Sequence, residues 1–388
     1  MFQKVFFVRR WRLLSLASLT TYVIALGLSQ SPSWAAGPLQ IYFVDVEGGG
    51  ATLIVSPSGE SMLVDTGNPP PNAERDTKRI YEAIQLAGLK KIDYLFTTHY
   101  DGDHVGGGLT LTKMIRIEKF VDHGDIDPSW SQNPHYEDRW KDYLSASSNR
   151  RMIVKPGDMV PLKGVKVQVV ASNGEVLAQA INGGGPNPYC KDAEQKEPDK
   201  TENSRAAGFL FTYGKFTFLD VGDLTWDKEM ALGCPVNKLG RVTLYQATHH
   251  GFYHAMSGAP AHVWGIQPQV VVVNNGPRKG LENKATYDEI AKIQGLQGVW
   301  QMHLSLLNDK DHNTKEDMMA NMEPSGYAER FRASIQIAVG GLESEAGVRR
   351  AYEGVRKPVF YKGEHVRDSE GRLVYDTEYD CNLLMVSA

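Results

Sequence analysis

Three cysteines in 388 residues are too few for a four-cysteine metal site or a disulfide framework. Cys190 and Cys234 fall in stretches read as loops and are available to pair, which leaves Cys381 over. Neither sign of charge dominates. The 42 Lys+Arg and 46 Asp+Glu give a formal charge of −4, so no global basic field draws the chain to nucleic acid or to an anionic membrane. With 41% hydrophobic and 23% charged residues, a disordered or collagen-like chain is excluded. No repeat or low-complexity block stands out. A long apolar run occurs once, from Leu13 to Leu28, behind Lys4, Arg9, Arg10 and Arg12 and ahead of Ser33-Trp34-Ala35. The run is short for a membrane span and is interrupted by Ser15, Ser18, Thr20 and Thr21. Its layout is that of a signal peptide over residues 1–35, cut after Ala35, so an exported protein is expected, periplasmic or secreted and free of the membrane after cleavage. The cut leaves 38 basic against 46 acidic residues, a charge of −8.

Residues 36–388 read as a single domain. Ile41–Val46, Thr52–Val55 and Met62–Val64 are short β-branched runs between Gly and Ser-Pro turns, hence strands. Ile80, Ala83, Ile84 and Ala87 share one face of a helix over Arg75–Ala87. Tyr94–Thr97 is a strand leading into His99, and Val105–Leu111 reads as a helix. Residues 123–160 and 183–203 read as polar insertions, the first with room for one helix, and an extension follows after about residue 305. Phe209–Tyr213 and Phe216–Asp220 flank Gly214-Lys215, a hairpin signal. Val242–Ala247, Pro268–Asn274, Ser334–Val339 and Leu373–Tyr375 read as strands, Trp226–Leu232 and Tyr287–Gln294 as helices. Each half has a hairpin, a helix and then a strand ending in a His-bearing loop, which predicts a layered α/β fold.

The chemistry concentrates in Thr98-His99-Tyr100-Asp101-Gly102-Asp103-His104-Val105-Gly106-Gly107. Four metal-ligating side chains, His99, Asp101, Asp103 and His104, fall within six residues, between a strand and a Gly-rich turn. A strand end fixes the backbone while the loop lets alternate side chains converge. Imidazoles mixed with carboxylates suit zinc, manganese or iron.

This segment resembles the His-x-His-x-Asp-His motif of the metallo-β-lactamase superfamily, with Asp101 in place of the second His. That variant is similar to the one in the hydrolase domain of ComEC-type DNA-uptake proteins. Phe43-Val44-Asp45-Val46-Glu47-Gly48-Gly49-Gly50-Ala51 resembles that subgroup's opening Asp-Val-Gly-Gln-Gly-Asp-Ala. Leu63-Val64-Asp65-Thr66-Gly67, Phe218-Leu219-Asp220-Val221-Gly222-Asp223-Leu224 and Ala247-Thr248-His249-His250-Gly251 are similar to the family's further motifs, in its order. The resemblance spans roughly residues 40–305. It implies a four-layer αββα sandwich with two divalent metal ions at one edge, zinc first among the candidates and manganese or iron as alternatives. His99 and Asp101 would hold the first ion, Asp103 and His104 the second, and Asp223 would bridge them. His250, or His249, would complete the set. Asp65 is expected to act in catalysis or to orient the ligands. The family's further His for the first ion has no counterpart, since His123 and His135 come too early and the equivalent stretch reads Glu202-Asn203-Ser204-Arg205. A weak first site is therefore expected.

The mechanism implied is metal-assisted hydrolysis, with Asp103 both a ligand and an acceptor of a water proton. A carboxylate-rich site tilts the substrate toward a small or short phosphodiester, with Asn203, Arg278 and Lys279 as candidate substrate contacts. A lactone, thioester or β-lactam hydrolase of the same fold is the second reading, and a non-catalytic exported metal-binding protein the third. The acidic balance argues against a stable complex with long nucleic acid. His254, His262, His303 and His312 read as surface or packing residues. Trp130, Tyr136 and Trp140 read as a small packed loop or a roof over the cleft.

Overall fold

The computed structural model describes residues 38–131, 133–252, 256–282 and 284–321, and the backbone of 334–339, 360–361 and 364–365. Two mixed sheets stack face to face. The seven-stranded sheet runs, edge to edge, Ser334–Val339, Leu39–Val44, Thr52–Val55, Ser61–Val64, Lys91–Phe96, Arg116–Asp122 and Arg151–Ile153. Its first four strands pair antiparallel, and the pairs from Ser61–Val64 onward are parallel. The nine-stranded sheet runs Met319–Asn321, Gly298–His303, Val270–Val273, Leu244–Gln246, Phe216–Asp220, Gly208–Tyr213, Lys166–Ser172 and Met159–Val160, with Glu175–Val176 beside Lys166–Ser172. It too is antiparallel on one side and parallel on the other. The likeness of the two halves read from the sequence is real.

The sheets are buried on both faces, so strands such as Thr52–Val55 and Val270–Val273 are inaccessible at every position rather than alternating. Between the sheets Phe43, Phe96, Phe209 and Phe218 interlock edge-on, Phe43 to Phe218 at 5.7 Å and 82°, Phe96 to Phe209 at 5.1 Å and 71°. These are favoured aromatic geometries, worth about 0.5–1.5 kcal/mol per pair beyond the area buried. The helices Ala73–Leu86 and Tyr136–Ser147 lay Ile80, Ala83, Ile84, Tyr143 and Ala146 on the outer face of the first sheet. The helices Trp226–Gly233, Pro260–Ile266 and Lys284–Ala291 cover the second through Leu232, Val263, Ile266 and Ile290. The layers are therefore helix, sheet, sheet, helix, an αββα sandwich of the α/β class.

Residues 123–160 hold the one helix that had room there, Tyr136–Ser147, which buries Tyr136 and Tyr143 beneath a polar outer face; Arg151–Ile153 adds to the first sheet and Met159–Val160 to the second. The helix expected over Val105–Leu111 is two four-residue turns, Gly102–Val105 and Gly108–Leu111. Gly106 and Gly107 between them touch the backbone at Pro69 and Thr66, where any Cβ would come within 2.2 Å. The strand expected over Leu373–Tyr375, the leader at 1–35, Cys381 and His254 lie outside the described residues. Cys190 and Cys234 do pair, tying the 183–203 stretch to the end of the helix Trp226–Gly233.

Candidate metal centre

The residues of the cluster all follow the carboxyl ends of sheet strands. Lys91–Phe96 delivers His99, Asp101, Asp103 and His104; Ser61–Val64 delivers Asp65; Phe216–Asp220 delivers Asp223; Leu244–Gln246 delivers His249 and His250. In parallel sheets this edge is where ligands bind. The backbone there is held in unusual shapes. Asp65 (φ 58), His249 (φ 52) and His250 (φ 57) are left-handed non-glycine residues, a strain that persists only where surroundings enforce it.

Asp103, His104, Asp223 and His250 place one donor atom each within 4.8 Å of all the others. His104 Nε2 lies 3.4 Å from Asp103 Oδ2, 3.2 Å from Asp223 Oδ1 and 3.3 Å from His250 Nε2. His250 Nε2 lies 3.0 Å from Asp103 Oδ2 and 3.3 Å from Asp223 Oδ2. Four donors held about 2.0–2.1 Å from a tetrahedral zinc lie about 3.3–3.4 Å apart. The observed spacings fit that requirement, so these residues suit a metal ion.

The partner set is looser. His99 Nε2 lies 3.7 Å from Asp101 Oδ2 and 3.9 Å from Asp223 Oδ2, and Asp101 keeps 30% of its side chain exposed. Asp223 thus faces both groups. His99 shows why a cation is wanted here. Thr98 Oγ1 donates to Asp65 Oδ2 at 2.8 Å, so it can only accept from His99 Nδ1, 3.0 Å away. That fixes the tautomer with the lone pair on Nε2, which is buried and has no hydrogen-bond partner among the described residues. A buried nitrogen left in that state is costly unless an ion meets it.

Asp65 stands in the orienting role of the two expected for it. It lies behind His104, its Oδ2 2.7 Å from His104 Nδ1, and its Oδ1 accepts from the Thr98 N–H at 2.8 Å. It is a carboxylate that orients a ligand imidazole. The glycines of the 48–50 run make room for this. Gly50 packs so closely that a Cβ would stand 2.7 Å from both Asp65 Oδ2 and His104 Nδ1, and Gly49 lies against Asp103 O.

Charge coupling is strong. Burial pushes the Asp103 carboxyl up, but Lys279 and His104 outweigh it and hold it well below the usual range. Asp223 is likewise held well below by His104, His249 and His250 against its burial. Burial would lower His104, yet Asp223, Asp65 and Asp103 raise it well above an ordinary imidazole. Burial raises Asp101 against the pull of His99, and pushes His249 down to about 4 against the pull of Asp223.

His249 also lines the centre, its Nε2 3.3 Å from Asp223 Oδ2 and its Nδ1 3.3 Å from Ser257 Oγ. Of the substrate candidates, Lys279 reaches the centre and contacts Asp103 Oδ2. Arg278 is exposed on the same turn, and Asn203 is 7% exposed, its amide oxygen without a hydrogen-bond partner among the described residues. His262 and His303 are buried, as packing residues would be. Trp140 packs edge-on against Tyr100 at 4.8 Å, and Tyr136 is buried against Glu202. Sequence reasoning missed Glu202 and His123, which meet at 2.8 Å beside the ligand loop. A single Glu in a polar stretch gives no signal, though it stands where the family's extra His is absent.

No curated protein sequence matches the chain. Among solved structures it is similar to a HARLDQ motif mutant of a metallo-beta-lactamase from Cronobacter sakazakii, at 14% identity over 47% of this chain and 60% of that one, TM-score 0.30. It is similar to the metallo-beta-lactamase fold protein YhfI from Bacillus subtilis, at 11% identity over 68% and 95%, TM-score 0.38. It is also similar to CmlA, a diiron beta-hydroxylase from Streptomyces venezuelae, at 13% identity over 67% and 47%, TM-score 0.36. The chain spans less than two thirds of the Cronobacter and Streptomyces proteins. Residues 44–186, which include Asp65 and the whole 99–104 ligand loop, match the family model described as Metallo-beta-lactamase superfamily. The match to the metallo-β-lactamase superfamily thus lies in residues 44–186, and the strand-end His/Asp cluster extends beyond it to Asp223 and His250.

Proposed function

We propose that the protein is an exported metal-dependent hydrolase of the ComEC-type branch, acting on a small or short phosphodiester. The observation that carries the reading is the donor set Asp103, His104, Asp223 and His250, in which both imidazoles lie 3.0–3.4 Å from the other donors, beside the buried His99 Nε2, which has no hydrogen-bond partner among the described residues. Two divalent ions held there would supply Lewis acidity and an activated water nucleophile. The protein's part is placement. Asp65 and Thr98 fix the His104 and His99 rings, and Asp223 faces both donor groups through its two oxygens. Asp103, 19% exposed and kept ionised by Lys279, is the ligand carboxylate of the tighter set that reaches solvent.

Charge favours an anionic substrate. Three ligand carboxylates, Asp101, Asp103 and Asp223, against two divalent ions leave a net of about +1. Lys279 adds another positive charge at the same spot. Export is supported by the 1–35 leader and by the Cys190–Cys234 disulfide, which belongs to an oxidising compartment.

The test is metal analysis of the purified protein, followed by assay with bis-p-nitrophenyl phosphate, single-stranded DNA and nitrocefin. Hydrolysis of the phosphodiester is expected, abolished by chelation and restored by zinc or manganese. Retained activity in an Asp103→Ala, His104→Ala double variant would refute the mechanism. Turnover of nitrocefin alone would favour the lactam and lactone reading. Bound metal without turnover of any substrate would favour a binding protein.

A further inference from the structure

We infer that Glu202 is a positioning residue that sets the ligand pair His99 and Asp101, compensating for the imidazole donor that the chain lacks between residues 105 and 222. The inference deepens the two-ion reading and rests on it.

Only His123 and His135 occur in that interval. His135 is exposed at the start of the helix Tyr136–Ser147. His123 is buried, and its Nε2 is engaged by Glu202 Oε1 at 2.8 Å. Neither is offered to an ion by the fold. What occupies the place of the missing motif is the short turn Glu202–Arg205, whose four residues are all buried.

Glu202 is 1% exposed, and its carboxylate is fully engaged. Oε1 accepts from the Tyr100 N–H at 3.2 Å and from His123. Oε2 accepts from the Tyr136 hydroxyl and lies 3.5 Å from Arg205 Nη1. With both oxygens facing protein donors, this carboxylate is a poor metal ligand and a good anchor. What it anchors is specific. Tyr100 is the residue between His99 and Asp101, so its peptide N–H lies in the short link that sets the distance between those two donors. Two residues away on the same loop, Thr98 O accepts from the Ala207 N–H at 2.7 Å, from the same 202–207 segment. The ligand loop is thus clamped at both ends of Thr98-His99-Tyr100.

The Tyr100 ring is fixed as well. It packs on His123 at 4.6 Å, on Trp140 at 4.8 Å and on Tyr143 at 5.2 Å, and its hydroxyl donates to Gly124 O at 2.6 Å. A buried charged network of this size is weak evidence for stability, because hydrophobic replacements often serve as well. It is useful where a donor must be held to within a fraction of an ångström. The first donor pair needs such help, since its spacing of 3.7 Å is wider than the 3.0–3.4 Å that separates His104 and His250 from each other and from Asp103 and Asp223.

The experiment measures zinc affinity and stoichiometry by elemental analysis and calorimetry on the full chain, with cobalt(II) absorption as a report of coordination. Wild type, Glu202→Ala, Glu202→Gln and Tyr136→Phe are compared. Wild type is expected to take up two ions. Glu202→Ala should keep the tighter ion at unchanged affinity and lose affinity for the other by about 10–100-fold, the usual cost of removing an outer-shell partner. Glu202→Gln retains an acceptor for the Tyr100 N–H and should recover part of the loss. Tyr136→Phe keeps volume and removes one partner of the carboxylate; it should weaken the looser site alone, and it decides the matter if Glu202→Ala does not fold. Two-ion loading at wild-type affinity in Glu202→Ala, or equal weakening of both ions in Tyr136→Phe, would overturn the role of Glu202. A wild-type chain that binds no ion would overturn the two-ion reading itself.

Discussion

Glu229 offers a quantitative test of how the loop that carries His249 and His250 is held. It sits on the helix Trp226–Gly233, fully buried, and its Oε2 accepts from the Ala259 N–H at 2.8 Å. Burial pushes its carboxyl from 4.5 up to about 8, against the pull of the Ala259, Thr248 and Gly258 bonds. The folded protein therefore keeps the acid neutral where the unfolded chain would ionise it. A raised carboxyl stabilises the fold fully below the unfolded value and loses that contribution as pH rises through the folded value, so the window runs from about 4.5 to about 8. At about 1.4 kcal/mol per pH unit the ceiling is roughly 5 kcal/mol. Glu229→Gln keeps the acceptor and the volume but cannot ionise. Urea unfolding of both proteins at pH 5, 7 and 9 should show near-equal stability at pH 5 and a growing advantage for the Gln variant toward pH 9. Taking the difference between the two proteins cancels other titrations, such as that of Asp220, raised to about 7 by burial. A difference that does not change with pH would refute the reasoning.

Two further predictions follow from geometry. The Cys190–Cys234 bridge spans a sequence separation of 44, for which loop-closure entropy gives about 4 kcal/mol; a Cys190→Ser, Cys234→Ser variant should lose up to that much in urea unfolding, as should the reduced wild type. Gly50→Ala places a methyl 2.7 Å from both Asp65 Oδ2 and His104 Nδ1. It should cost about 1–3 kcal/mol by overpacking and loosen zinc at the tighter site, measured by calorimetry, and unchanged zinc affinity would show that the Asp65–His104 contact does not orient the ligand.

The strands and the ligand loop were legible because their signals are local. His99, Asp101, Asp103 and His104 lie within one loop, and Asp223 and the His249–His250 pair each follow an apolar run that is a buried strand. Gly298–His303 was harder. It reads Gly-Val-Trp-Gln-Met-His, and its polar Gln301 is buried only because Asn313 and the Thr314 N–H satisfy it from a distant turn. The stretch 123–160 looked like an insertion because its composition is polar, yet the helix within it needs only Tyr136, Tyr143 and Ala146 to pack. Glu202 illustrates the limit best. Its meaning lies in the Tyr100 N–H, 102 residues away, and in Tyr136 and His123, and no spacing along the chain announces such a meeting.

The same charges that make the centre suit cations make it strained without them. Asp103 Oδ2 faces His104, His250 and Lys279 together, and Asp223 faces four imidazoles, those of His99, His104, His249 and His250. Without an ion, Asp103 is neutralised by His104 and by the Lys279 ammonium. An ion held among the donors would supply that charge instead and would leave His104 a neutral ligand, with the Lys279 ammonium beside it. An ammonium beside a cationic centre would favour an anion there. Under the proposed function, metal loading and substrate charge would be linked through Lys279, which reconciles a chain of net charge −4 with an anionic substrate at the centre.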